Sequence, residues 1–215
     1  MPLVIIPARL ESERLSNKPL QKIGGDPLIV HCWRRAMEAD IGPVWVACDS
    51  ADIVEAVERC GGKALITGEA RCGTDRVALA AGIADPLKHH AQIVNQQGDM
   101  PFLNPEHLRI FARGMQRMAE TATAYADLKL VAIDRNDFQR KTVRSHIGLY
   151  GFTREGLDRF HRLGPSTREK EERLEQLRAV GVLAMDFIEL PYMPMEVNTL
   201  EDLMAANQII ALSRS

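Results

Sequence analysis

Short runs of apolar, largely β-branched residues alternate along this chain with longer stretches whose apolar positions recur every three to four residues. The short runs predict strands over 3–6, 43–48, 63–66, 91–95, 128–133, 144–152 and 182–189. The longer ones predict helices over 27–39, 51–60, 74–84, 105–119, 154–162, 167–179 and 200–212. Two helix starts carry their own signatures: Ser166 with Glu169, and Thr199 with Asp202, fit capping boxes or close variants. The stretch 120–145 is the least periodic part, and there is no internal repeat or low-complexity tract. Strands alternating with helices predict an α/β fold, a mostly parallel mixed sheet with helices on both faces. In such sheets ligands lie beyond the carboxyl ends of the strands.

Three of those ends carry chemistry. The first strand, Leu3-Val4-Ile5-Ile6, empties through Pro7-Ala8-Arg9 into a loop with two more cations, Arg14 and Lys18, before Pro19-Leu20. Guanidinium forks and a lysine point charge at this spacing suit a polyphosphate. Glu11 and Glu13 are interleaved, so a solvated loop with internal ion pairs is the alternative. Asp49 follows the second strand. Asp99 follows the run Ile93-Val94-Asn95-Gln96-Gln97-Gly98, where a carboxylate can anchor a magnesium ion bridging to phosphates or simply shape a turn or cap the helix at 105. No P-loop or dinucleotide glycine fingerprint is present.

Further along, Gly73-Thr74-Asp75-Arg76 opens a helix. Its amides suit a base or ribose and Arg76 a phosphate, or Thr74 is an ordinary cap. Within Ser145–Phe152, strand geometry puts His146, Gly148 and Tyr150 on one face, which is either a sugar pocket or the setting of a half-buried histidine. On the helix expected over 167–179, Glu171, Glu175 and Arg178 share a face that is either solvated or aimed at a polyol. Asn198 precedes the cap at Thr199.

The bulk numbers narrow the partners. With 215 residues, 46% apolar and 26% charged, the chain is long enough for a sizeable core. A net charge of −2 supplies no global field for nucleic acid or an anionic membrane. No signal-like or membrane-spanning run is present. Cysteines 32, 48, 60 and 72 form no C-x-x-C pair and read as reduced, partly buried thiols of a cytoplasmic protein.

Taken in order, Pro7-Ala8-Arg9, Arg14-Leu15, Lys18-Pro19-Leu20, Gly73-Thr74-Asp75-Arg76, Gln97-Gly98-Asp99-x-Pro101, His146-Ile147-Gly148-Leu149-Tyr150-Gly151 and Leu174-Glu175-Gln176-Leu177-Arg178 closely resemble the 3-deoxy-manno-octulosonate (Kdo) cytidylyltransferases over nearly the whole chain. The resemblance implies a Rossmann-like, glycosyltransferase-A type nucleotidyltransferase fold in one domain, with a smaller sugar-binding lobe at about 120–190. It implies transfer of CMP from CTP to the anomeric hydroxyl of Kdo, with Mg2+ as cofactor, for lipopolysaccharide or capsule synthesis. By the same resemblance Arg9, Arg14 and Lys18 hold phosphates, and Ala8, Gly73 and Arg76 frame the cytidine. Gln97, His146, Tyr150, Glu175 and Gln176 line the sugar pocket, and Asp99 and Asn198 face the metal. Arg9, Lys18 and Asp99 are the catalytic candidates. Partners are CTP and an acid sugar, with no nucleic acid and no membrane.

Three departures from the family pattern stand out. Asn198 replaces an aspartate, Met100 replaces a glutamate, and the segment at about 134–145 is shorter by roughly thirty residues than the family's, which contributes to a homodimer interface. The homodimer is therefore left open. A modified Kdo-like or nonulosonic acid sugar, or a weakened nucleotide-binding paralogue, are the alternatives.

Overall fold

Leu3–Pro7 forms strand β1, buried at every position. A strand can be apolar on both faces only if both faces are covered, and the packing shows that arrangement. Val4 and Ile6 belong to one core cluster, and Leu3 and Ile5 to another. A computed structural model describes residues 1–121, 129–134 and 145–213 of the chain. After β1 come a 3-10 turn at Lys18–Leu20 and a small hairpin, β2 (Lys22–Ile23) with β3 (Asp26–Pro27). The sequence reading lacked this hairpin, although Gly24 and Gly25, at φ 60° and 105°, supply its turn. Then follow α1 (Leu28–Ala39), β4 (Val44–Cys48), α2 (Ala51–Glu58), β5 (Ala64–Ile66), α3 (Gly73–Ala84), β6 (Gln92–Gln96) and α4 (Pro105–Thr121). The remainder comprises β7 (Lys129–Asp134), β8 (His146–Thr153), α5 (Arg154–Leu163), α6 (Thr167–Glu172), β9 (Met185–Leu190) and α7 (Leu200–Ser213).

Seven strands make one sheet in the order β5-β4-β1-β6-β8-β7-β9. The β5-β4-β1-β6 half is parallel, β8 runs antiparallel to both of its neighbours, and β9 pairs parallel with β7. The first core cluster packs Val4, Ile6, Val46 and Val94 under α1, α2 and α4, with Trp33, Ile53 and Phe111 as fillers. The second packs Leu3, Ile5, Ala47 and Ile93 under α3 and α5. Met100 is fully buried in the first cluster, so its side chain does core packing rather than site chemistry. The shortened segment falls mostly on 135–144 and lies outside the described residues. No helix among the described residues is long and apolar enough to cross a membrane.

One expected helix does not form as a unit. In place of 167–179, α6 stops at Glu172, Arg173 adopts a left-handed conformation at φ 51°, and a separate 3-10 turn runs over Glu175–Arg178. A continuous helix would hold residues 169 and 178 about 13.5 Å apart along its axis. Instead Arg178 donates to both oxygens of Glu169, Nε to Oε2 at 2.8 Å and Nη2 to Oε1 at 2.6 Å. The buried bidentate pair folds the chain back on itself. Glu171 is exposed on α6 and does not share a helix face with Glu175. The capping boxes at Ser166 and Thr199 are both present.

Candidate active site

The cationic loop is pinned at three points. Its backbone continues the sheet, with Ala8 N donating to Ala47 O at 2.8 Å. Leu10 N donates to Asp49 Oδ1 at 2.8 Å, so the carboxylate that ends β4 fixes the loop's first turn. Leu15 is buried in a third cluster with Ile23, Leu28, Val197 and Leu203. That apolar anchor leaves its neighbour Arg14 exposed and ties the loop to the segment preceding α7. Arg9 is exposed and makes no hydrogen bond or ion pair among the described residues. Glu13 pairs loosely at 3.7 Å with Arg173, which lies outside the loop, and both side chains are mostly exposed, so among the described residues the loop's charges form no ion pair with one another.

Opposite the loop stands the end of β6. A Cβ on Gly98 would lie 2.9 Å from Pro7 O, so only glycine lets the exits of β1 and β6 approach this closely. That approach brings Lys18 to Asp99, with Nζ 3.1 Å from Oδ2. Lys18 Nζ also donates to Asn198 Oδ1 at 2.8 Å, and Arg14 Nη2 donates to the same oxygen at 3.1 Å. Residues from the two ends of the chain thus meet at one lysine. Asp99 is not the cap of α4, because Asn104 Oδ1 accepts from Glu106 N and does that work.

The third wall is the start of α3. Cys72 is its N-cap, accepting from Asp75 N through Sγ, so Thr74 does not cap it. Thr74 is fully buried and serves a different end. Its backbone N donates to Glu175 Oε2 at 3.1 Å and its Oγ1 to Glu175 Oε1 at 2.7 Å. The same Oγ1 accepts from Asn95 Nδ2 at 3.0 Å, and Asn95 Oδ1 accepts from Gln97 Nε2 at 3.2 Å. This relay fixes which end of the Gln97 amide is left for a ligand. Gly73 and Gly148 make room for Gln97: a Cβ on either would fall 3.2 Å and 2.9 Å from its side chain, respectively. Arg76 is buried, with Nη1 donating to Thr67 Oγ1 at 2.6 Å and Nη2 to Asp49 Oδ2 at 3.1 Å.

These walls enclose a cleft of about 1040 Å³. Of the residues singled out from sequence, Ala8, Arg9, Arg14, Lys18, Gly73 and Arg76 line it, as do Gln97, Asp99, Glu175 and Asn198. His146, Tyr150 and Gln176 are not part of that lining. His146 is exposed rather than half-buried, 6.3 Å from the Tyr150 ring between centroids. Tyr150 and Gln176 are buried and hydrogen-bonded to each other. Burial, then the nearby Glu175 and Asp99 carboxylates, push the Tyr150 hydroxyl well above its usual value, so it stays a neutral phenol.

Two groups of residues escaped the sequence reading. One is the buried hub at Asp75, which accepts from Arg71 Nε at 2.7 Å and Arg178 Nη1 at 2.9 Å and contacts His161 Nδ1 at 2.9 Å. Burial alone would raise its carboxyl, but these partners hold it below the ordinary range. The other is Glu196, half-buried, whose Oε2 accepts from Asn198 Nδ2 at 3.2 Å. Burial and then the Asp99 charge raise its carboxyl above the ordinary value. Neither group has a local signal in the sequence, because the partners of Asp75 come from separate segments and Glu196 is marked only by the amide it faces. The side-chain atoms that accept from Lys18 Nζ, Asp99 Oδ2 and Asn198 Oδ1, are both oxygens. That set fits a hard divalent cation.

A cytidylyltransferase family model matches residues 3–126. The 3-deoxy-manno-octulosonate cytidylyltransferase of Methylobacterium nodulans is 38% identical over 246 aligned residues, spanning 99% of this chain and 98% of that protein. Its counterpart from Nitrobacter winogradskyi is 39% identical, over 99% of this chain and 95% of its own length. Among solved structures, a CMP:2-keto-3-deoxy-manno-octonic acid synthetase complexed with CTP superposes with a TM-score of 0.82 at 26% identity, over 99% of this chain and all of that one. The nucleotidyltransferase fold expected from the motifs is the fold observed.

Proposed function

Because the chain belongs to the cytidylyltransferase family, in its 3-deoxy-manno-octulosonate branch, we propose that it transfers CMP from CTP to the anomeric hydroxyl of Kdo and releases pyrophosphate. The observation that carries this reading is the meeting of Lys18 with Asp99 and Asn198 at the mouth of the cleft. Cations that would grip a triphosphate and oxygens that would grip its metal lie within one hydrogen bond of each other.

Arg9, Arg14 and Lys18 present the cationic wall to the triphosphate. Arg9 and Arg14 stand exposed, and Lys18 exchanges its carboxylate partner for phosphate oxygens. Ala8 and Gly73 offer a backbone surface for the cytidine. Asp49 holds Arg76 beside them while fixing the loop through Leu10. Gln97 at the end of β6, and Glu175 in the smaller sugar-binding lobe at about 120–190, face the acid sugar. Tyr150 and Gln176 brace that wall from beneath. His146 borders it from solvent. Asp99 and Asn198 hold Mg2+, which when bound neutralises charge on the triphosphate. The protein's own share is to align the attacking hydroxyl with the α-phosphorus and to stabilise charge on the departing pyrophosphate. A cytoplasmic location in lipopolysaccharide or capsule synthesis follows from that product.

The test is pyrophosphate release with CTP, UTP and ATP crossed against Kdo and sialic acid. Release confined to CTP with Kdo supports the reading. Turnover with sialic acid alone, or CTP binding without any release, overturns it.

A further inference from the structure

Asn198 sits between opposite charges. Its Oδ1 accepts from Lys18 Nζ and Arg14 Nη2, while its Nδ2 donates to Glu196 Oε2. An amide satisfies such neighbours in one orientation only. Turned over, it would present hydrogens to two cations and a carbonyl to a carboxylate.

We propose that Glu196 is a positioning residue of the active site, holding the Asn198 amide so that its oxygen faces the locus shared with Asp99. The inference rests on the reading of that locus as the place of the CTP-borne divalent cation. In the described structure two cations help orient the amide. A triphosphate that engages Arg14 and Lys18 takes both of them away, and Glu196 becomes the group that keeps the oxygen forward. Val197, buried in the third core cluster and bonded through its N to Asp99 O at 2.9 Å, keeps the two side chains in register with Asp99.

Four variants test this: Glu196→Ala, Glu196→Gln, Asn198→Asp and the double Asn198→Asp/Glu196→Ala. The readout is Mn2+ affinity by electron paramagnetic resonance in saturating CTP without sugar. Thermal melts confirm folding. Glu196→Ala should weaken Mn2+ binding about 10- to 100-fold, the usual reach of a residue that orients a metal ligand. Glu196→Gln keeps an acceptor for Asn198 Nδ2 and should lose less. In Asn198→Asp the two oxygens are equivalent and there is no orientation to fix. Removing Glu196 in that background should therefore leave Mn2+ binding unchanged. Unchanged affinity in Glu196→Ala, or the same loss in both backgrounds, overturns the proposal while leaving the cytidylyltransferase reading intact. A wild-type protein that neither binds CTP calorimetrically nor releases pyrophosphate overturns both.

Discussion

Thr74 gives both its backbone amide and its hydroxyl to the carboxylate of Glu175, although the two lie 101 residues apart. The contact joins the start of α3, beside the cationic loop, to the 3-10 turn at Glu175–Arg178. Through Asn95 it also reaches Gln97. The start of α3, the turn at Glu175–Arg178 and the end of β6 are thus coupled by side chains rather than by a shared helix.

Replacing Thr74 with valine keeps the shape and removes the hydroxyl. Asn95 Nδ2 and Glu175 Oε1 each lose a buried partner, at a cost of about 1–3 kcal/mol. The Gln97 amide loses its orientation as well. Steady-state kinetics should show KM for the acid sugar rising by more than KM for CTP. Equal rises in the two would mean that the relay does not serve the sugar wall. Denaturant unfolding gives the stability change independently.

Arg178 holds Glu169 bidentately and Asp75 singly, and its guanidinium lies 4.5 Å from the centre of the Phe160 ring. Burial works against its charge, but Glu169 and Asp75 hold its pKa above the ordinary value. Arg178→Ala leaves two buried carboxylates short of their cation and should cost about 3–5 kcal/mol. Urea unfolding monitored by circular dichroism measures this. A loss below 1 kcal/mol would show that α6 and the following turn are held by something else.

A pH-linked effect comes from a residue outside the cleft. His107 is buried against Tyr192, ring centroids 4.4 Å apart, and neither ring nitrogen has a hydrogen-bond partner among the described residues. Burial lowers its pKa, so the folded state takes up a proton less readily than the unfolded chain. Its contribution to stability is full above the unfolded value of about 6.5 and declines as pH falls through the lower folded value. Asp85 titrates elsewhere. Burial would raise it, but the His89 and His90 amides and Arg154 hold it at about 2, so its contribution is lost only well below the histidine window. Melting temperatures of wild type and His107→Leu between pH 8 and pH 5 separate the two. Wild type should fall relative to the variant below about pH 6.5, and parallel curves would contradict the assignment.

How far the sequence disclosed this architecture depended on the range of the interactions. β1 was legible because a strand covered on both faces reads as an unbroken apolar run, β6 was legible from its apolar centre Ile93-Val94, and the cleft followed because ligands gather where such strands end. Leu15 between Arg14 and Lys18 was equally legible in hindsight, as an apolar anchor inside a charged loop. The break after Glu172 was not. The periodicity of 167–179 continues through Arg173 with no glycine or proline to mark it. The chain turns there because Glu169 and Arg178 bond each other in the interior, a tertiary choice that local propensity does not record. Glu196 was silent for the same reason, since a glutamate two residues before an asparagine carries no signal until the asparagine's amide is seen to face two cations.

The central claim is that the cations leaving β1 and the acid ending β6 form one reaction site. Pyrophosphate release by Asp99→Asn, measured with CTP and Kdo on protein whose melting temperature matches wild type, tests it most directly. The variant keeps an oxygen for Lys18 but removes the charge that Mg2+ and the lysine share, and release should drop at least about a hundredfold. Release at the wild-type rate would contradict the claim and take Asp99 out of the site.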